Sequence, residues 1–471
     1  MSDIDVFRGR SRQGAGTTVR SGQSRLNGWY AGLLGAVVIL APLALGSNRP
    51  FFWTVWACVL GLMLAIYGIF VQMRGLRLRA GPADMVPEMV AYICFCAFLV
   101  IQILPLGGFG LVPELFTQSG VALHLSTIST TPGNTLLMLL RWGTYGAMFF
   151  LGVQVSLNSQ RRMRMLWLIS AMVTIHAVFG LLFYYQWGNT ILGIQKWAYL
   201  DSLTGSFVNR NSFATFLAIG LVVNVSLAVA TVADEHVLPG TRQSRVALLL
   251  VSVLCILAAL FATNSRMGLL AGLVGAALVI ALGTVKSAAL GNLAKAALAV
   301  LIVIGFFAAG YMFGDSLWAR FLDVGSAAGV RFELYHQVLE MIAQRPWLGF
   351  GGGSFEQTYQ LFHRPPVSIE YVWDRTHNSY LALWVELGVV VGTLPLAIIA
   401  LCFTRASVSF FAKPAIDAAS LAGIGVIAVA AVHSTVDFSL EIQATTLLFV
   451  LLLAMVTAAN IQRVKSLQRD R

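Results

Sequence analysis

Long apolar runs without a single charge, separated by short polar stretches, dominate the 471-residue chain. Nine such runs are Leu26–Asn48, Phe51–Met73, Met165–Gln195, Asn211–Ala233, Val246–Ser265, Met267–Val285, Ala296–Gly314, Ala418–Val436 and Ile442–Gln462. Each reaches the roughly 20 residues that a helix needs to cross about 30 Å of hydrocarbon with its backbone groups paired internally. Three further spans are predicted around 88–106, 135–155 and 378–404, the last two enclosing one charge each, Arg141 and Glu386. The pattern predicts an all-α polytopic membrane protein with about twelve crossings.

The longest polar interruption, 314–376, runs to about sixty residues, and connections of that length are usually functional. It carries a helix of its own, predicted over Gly329–Gln344, with Leu334, Val338 and Ile342 on one stripe and Arg331 one turn from Tyr335. The following RPWLGFGGGSF is expected to end that helix at the proline and to form a flexible glycine turn. The chain thus divides into an arm (1–27), nine spans (28–313), the long loop (314–376), three spans (377–462) and a tail (463–471).

Composition and charge sharpen this picture. A chain 58% hydrophobic and 11% charged, with mean hydropathy +0.79, is excluded from the ordinary soluble class. The net charge of +11 suggests nucleic acid only until its distribution is read. Along the predicted spans, 21 of the 31 Lys and Arg residues fall on the side of the N-terminus, nine on the other and Arg141 inside a span. That asymmetry is the positive-inside bias of a bacterial inner-membrane protein; it places both termini in the cytoplasm and the long loop in the periplasm. The arm 1–25 has no apolar core, so it is read as a disordered segment and not as a cleavable signal. All five cysteines fall within predicted spans, and Cys94 and Cys96 point to different sides of one helix, so neither a disulfide nor a metal pair is expected. No internal repeat and no second, soluble domain is evident.

The outer charges carry the chemistry. They are Arg49, Lys196, Arg210 and Arg266, and then Arg320, Arg331, Arg345, Arg364 and Arg375 in the long loop. Five segments follow one another in a recognisable order: GSFVNRNSFATFL (205–217), TNSRMGLLAGLVG (263–275), VRFELYHQVLEMIAQRPWLGFGGGSF (330–355), THNSYLALWVELG (376–388) and HSTVDFSLEIQA (433–444). Over roughly the C-terminal 270 residues the chain resembles the O-antigen ligase and polymerase family of membrane glycosyltransferases. Its first 200 residues resemble that family in hydropathy only.

The resemblance implies transfer of a glycan from a polyprenyl (undecaprenyl) diphosphate carrier to an acceptor sugar hydroxyl at the periplasmic face. The acceptor is lipid A core in a ligase, or a growing chain of repeat units in a polymerase. It also implies that Arg266 and Arg331 bind the carrier diphosphate and that His377 is the general base, with Asp374 or Glu370 as its orienting group; Arg210 is a further candidate for substrate binding. The chemistry of the residues agrees. Breaking a sugar–diphosphate bond leaves negative charge on the phosphates, which a cation must stabilise, and a guanidinium grips phosphate oxygens with paired donors. Acidic residues on the outer face are scattered singly, and the only D-x-D, Asp3 to Asp5, lies in the arm, so metal and cofactor are expected to be absent. A histidine near pKa 6.5 can take the proton of a sugar hydroxyl.

Plainer readings compete with each assignment. An interfacial arginine also snorkels to headgroups, a histidine at a helix end is often structural, and His433 with Asp437 can be a helix cap. Glu386 lies nine residues beyond His377, about 180° around a helix, and is expected to bond another span. GFGGGS lacks the preceding strand of a nucleotide loop and is expected to face outward. A transporter or lipid flippase is the alternative from another class, but transporters concentrate charge near the midplane, whereas the polar density here is at the outer side.

Overall fold

The computed structural model describes residues 4–287, 327–370 and 372–469, with isolated residues at 292, 295, 299 and 303. Eight helices lead: α1 (Ile4–Leu43), α2 (Pro50–Met73), α3 (Val86–Ile103), α4 (Pro132–Ser156), α5 (Ser159–Tyr185), α6 (Arg210–Ala233), α7 (Pro239–Ala262) and α8 (Arg266–Lys286). Six follow: α9 (Ala327–Gln344), α10 (Phe355–Tyr359), α11 (Ser379–Gly392), α12 (Leu394–Ala412), α13 (Ala418–His433) and α14 (Gln443–Arg469). The described strands form two short antiparallel hairpins, β1 (Leu115–Phe116) with β2 (Ala122–Leu123), and β3 (Thr190–Ile191) with β4 (Ile194–Gln195). Local chemistry sets the starts. Proline opens α2, α4 and α7, where its missing N–H costs nothing, and the side chains of Asn158, Asn209, Asn378 and Asp417 accept backbone N–H groups at the starts of α5, α6, α11 and α13.

Ten helices among the described residues are long and apolar enough to cross a bilayer, and α11 and α13 are shorter apolar helices. Apart from residues 299 and 303, the run Ala296–Gly314, expected to be a span, lies outside the described residues, as does the start of the 314–376 loop. Helical backbone reaches back to Ile4, into the stretch expected to be a disordered arm; nothing before Pro42 breaks a helix there. Two expected spans differ in form. The run Met165–Gln195 leaves the helix at Tyr185 and ends in the β3–β4 hairpin, because Gly188 and Gly193 take positive φ there. The 378–404 run is not one helix. It breaks at Gly388 (φ 72°, ψ 163°), and α12 restarts at Leu394.

That break is filled by the segment after α9. Phe350 and Gly351 donate their N–H groups to the carbonyls of Val385 and Glu386, and Val389 donates to Pro346. The Gln102 amide from the end of α3 stitches both sides, donating to Leu348 and Glu386 and accepting from Gly352. A Cβ on Gly349 would fall 2.3 Å from the Glu386 carbonyl oxygen, and one on Gly388 2.4 Å from the Trp347 backbone. The glycine turn is therefore buried and clamped, and not the flexible, outward-facing element expected. The Glu386 carboxylate correspondingly accepts from the Phe355 N–H at the start of α10, a loop element, while the bond from another span, that of Gln102, reaches its backbone carbonyl.

Helix α14 is the central post, buried almost throughout and packed against α4 and α12. Beside it, α6, α8 and α13 form a close three-helix group. Small residues make the approach possible: a Cβ on Gly275 of α8 would meet Val429, Val222 and the Gly425 carbonyl within 2.9 Å. Glycine seams of this kind let helix backbones pack without side-chain bulk in a membrane. They also set where the first residues of α6 and α8, Arg210 and Arg266, emerge.

Candidate active site

At the end of the bundle formed by the starts of α6, α8, α11 and α14 and the end of α13, four chain segments converge. The segment 374–378 is fixed first. Asn378 caps α11 by accepting from the N–H groups of Tyr380 and Leu381, and its own amide donates to the Thr435 carbonyl. Ser379 donates backbone N–H to Ser434 and its hydroxyl to the Asp437 carbonyl. His377, held between these anchors, has φ 55°, a left-handed conformation that a non-glycine residue adopts only when its surroundings impose it. Its carbonyl accepts the Tyr335 hydroxyl at 2.8 Å. Since Tyr335 stands one turn after Arg331 on α9, the loop helix and the histidine form one unit.

The His377 ring packs edge-on against Phe438, with centroids 5.2 Å apart, and lies 6.0 Å from Trp373. Its Nδ1 is buried without a hydrogen-bond partner among the described residues, so no protein group fixes the tautomer at that atom. Burial, then the Arg331 guanidinium, push the imidazole down to about 4; Asp437 and Asp374 pull the other way and Arg375 adds to the lowering. The Tyr335 hydroxyl is pushed up to about 12 by burial, against the pull of Arg331. Of the two carboxylates expected to orient the ring, Asp374 acts on His377 through its charge.

The other histidines on this side are committed elsewhere. His336 pairs with Glu340 at 3.3 Å, His363 Nε2 lies 3.1 Å from the Val367 carbonyl, and buried His433 shares a 2.6 Å hydrogen bond with Thr215. Asp437, 4.0 Å from His433, accepts from the Asn211 amide at 3.0 Å and from the Ser439 hydroxyl. Burial and Asp437 raise the Tyr199 hydroxyl, while Arg210 and Arg331 oppose them. Tyr199 thus lies within electrostatic reach of Asp437, Arg210 and Arg331.

Arg210, the first residue of α6, donates to Ser202 at 3.0 Å and lies 5.5 Å over the Tyr199 ring. Arg266 opens α8 and is exposed. The preceding Asn264 donates to the Asp201 carbonyl and to Ser202, the residue that also holds Arg210, so the two helix starts share one loop. Arg331 acts on His377 through its charge and by way of Tyr335 on the same helix, and Arg210 and Arg331 both act on Tyr199. Asn264, two residues before Arg266, shares Ser202 with Arg210. Deeper, Arg375 faces Glu441 at 3.5 Å, and Arg141 donates to the Glu441 carbonyl while stacking 4.4 Å over Trp53. Arg141 is a structural tie between α4, α2 and the start of α14. Among the described residues no three of His, Cys, Asp and Glu are grouped to hold a metal ion.

Tyr335, Tyr199 and Asn378 are the site residues that sequence reasoning did not single out for a role. Only Tyr335 left a signal, its one-turn spacing from Arg331.

Residues 251–396 match the family model for O-antigen ligase. The match contains Arg266, Arg331 and His377 and ends before His433 and Asp437. No curated protein matches the chain.

Proposed function

From the premise that the chain carries an O-antigen ligase family domain over residues 251–396, we propose that it transfers a glycan from a polyprenyl diphosphate carrier to a sugar hydroxyl of an acceptor. The observation that carries this reading is the rigid unit in which Tyr335 ties the Arg331 helix to His377. It supports a reading in which a cation and a proton acceptor work on one substrate.

In the reaction His377 takes the proton of the acceptor hydroxyl as that oxygen attacks the anomeric carbon. The bond from this carbon to the diphosphate oxygen breaks, and the carrier diphosphate leaves with the electron pair. Arg331 and Arg266, each with two parallel donors, hold the phosphates where that charge develops; Arg210 extends the cationic rim. The low basicity of His377 fits an ordered reaction. Burial holds the imidazole down first and Arg331 second, and an anionic diphosphate on Arg331 offsets that second cause, so the base strengthens once the donor is seated. The charge asymmetry of the chain supports a periplasmic site in an inner membrane.

The test is reconstitution in proteoliposomes with a polyprenyl diphosphate glycan and lipid A core as acceptor. A glycan joined to the core is the expected product. Glycan joined only to a second carrier-linked glycan identifies a polymerase instead, and no glycosidic product from either acceptor rejects transfer. The same assay in EDTA is expected to retain activity; loss reversed by magnesium or manganese would reassign the neutralising charge to a metal.

A further inference from the structure

The hairpin between α5 and α6 has no part in the chemistry above, yet it carries an unusual surface. Between Gln186 and Leu200 the only charged residue is Lys196, and that residue is turned inward. It is 6% exposed, with its ammonium donating to the Ser202 carbonyl and to Asn189. Other polar groups also turn inward: Asn189 donates to the Leu200 carbonyl, Tyr184 to Asp201, and Tyr199 accepts from Asn209. What remains outside is apolar apart from the exposed Gln186 and Gln195. Trp187, Leu192, Ile194, Trp197 and Leu200 are all exposed, Ile194 at 58% and Leu200 at 64%.

The root of the hairpin shows what covers this surface. The chain does not continue straight from α5 but folds back on it. Trp187 N–H donates to the Leu182 carbonyl and Asn189 N–H to Phe183, and the Trp187 ring sits 4.8 Å from Phe183 and 6.5 Å from Phe179. Phe179, with Ile175 and Val178, belongs to the exposed apolar face of a span-length helix, the face that meets lipid. The exposed hairpin surface is continuous with it, and tryptophan and tyrosine are the side chains that favour the membrane interface. An apolar patch of this extent is not left in water.

We propose that the hairpin 187–200 is a membrane-interface wing, seated beside α5 among the headgroups and first acyl carbons of the leaflet on the site's side. Its inner end is Tyr199, over which Arg210 stacks, so the wing ties the cationic rim to the depth at which a lipid-borne phosphate lies. The occupant is bulk phospholipid, and the inference goes beyond glycan transfer: it stands or falls on membrane depth and not on activity.

The test is site-directed spin labelling of otherwise cysteine-free full-length protein in nanodiscs of phosphatidylethanolamine and phosphatidylglycerol. A nitroxide at Ile194→Cys is compared with labels at Leu254→Cys on the exposed face of α7 and at His336→Cys on the exposed side of α9. Power saturation is expected to show the 194 label more accessible to oxygen than to a water-soluble nickel chelate, as at 254 and opposite to 336. A nickel-favouring label at 194 would put the hairpin in water, and a label shielded from both relaxants would put it against protein, including a second copy; either result overturns the proposal. A label at Leu192→Cys repeats the reading on the neighbouring side chain if substitution at 194 disturbs the fold.

Discussion

The Tyr335 hydroxyl spans 42 residues of sequence to reach the His377 carbonyl, and what it holds is a backbone conformation, not a ring. A Tyr335→Phe enzyme keeps the ring in place and loses only the donor. With a hydrogen bond of this kind contributing about 1 kcal/mol, a fall of about fivefold to tenfold in kcat is expected, with donor KM unchanged. Steady-state kinetics in the reconstituted assay checks this, and an equal loss in KM would assign Tyr335 to donor binding. The pH profile tests the electrostatics of His377. Its pKa is pushed down to about 4 by burial and by Arg331. The acid limb of kcat/KM, which reports the free enzyme, is therefore expected below the ordinary histidine range, with activity lost only as pH falls toward that value. The limb of kcat, which reports the donor-bound enzyme, should lie at higher pH, because the diphosphate neutralises Arg331. Coincident limbs would mean that the donor does not sit on Arg331. For Arg331 and Arg266 themselves, substitution by Lys retains the charge without the paired donors, and each is expected to lose about tenfold or more in kcat/KM.

At the scale of elements, the interlock of the PWLGFGGG segment with the broken helix α11 is the feature that hydropathy could not reveal. The 378–404 run has the composition of a span from end to end; nothing in a sum of transfer energies records that Gly388 takes φ 72° or that residues 346–353 supply the hydrogen-bond partners the break leaves free. GFGGGS looks flexible for the same reason: glycines read as freedom in sequence, whereas here Gly349 and Gly388 are required by backbone contact at both. By contrast, α9 was legible from its apolar stripe within two residues at its start, and Arg331 and His377 were picked out as candidates by the motifs around them. The pairing of those two through Tyr335 depends on tertiary contact and was not. A Gly388→Ala protein tests the interlock. A backbone at φ 72°, ψ 163° is one that essentially only glycine adopts and costs about 1–3 kcal/mol for a residue with a Cβ, and the built Cβ also collides with the Trp347 backbone. Accelerated proteolysis in 346–360 is expected, together with lowered thermal stability, while Gly240→Ala, whose Cβ meets open space, serves as the control.

For the whole molecule, the helix order places the basic ends at one side and the candidate site at the other. Arg162 with Asp417, Arg405 with Glu88 and Lys465 with Asp84 are ion pairs of the opposite end. They tie the helix ends together where the sequence concentrates its positive charge. If that end is cytoplasmic, a cysteine introduced at exposed Ser119 in a cysteine-free protein should react with a membrane-impermeant thiol reagent added to intact cells with a permeabilised outer membrane, and one at exposed Ser159 should not. The reverse pattern would turn the site toward the cytoplasm.

The most direct measurement of the proposed chemistry is a His377→Ala enzyme assayed twice in the same proteoliposomes, once for binding of the polyprenyl diphosphate glycan and once for its transfer. Binding within a fewfold of wild type, with transfer reduced by about 10²–10⁴, is the outcome expected when a positioned general base is removed and the arginines remain. Transfer at near the wild-type rate in correctly inserted protein would show that 374–378 is only the cap of α11 and that His377 takes no proton.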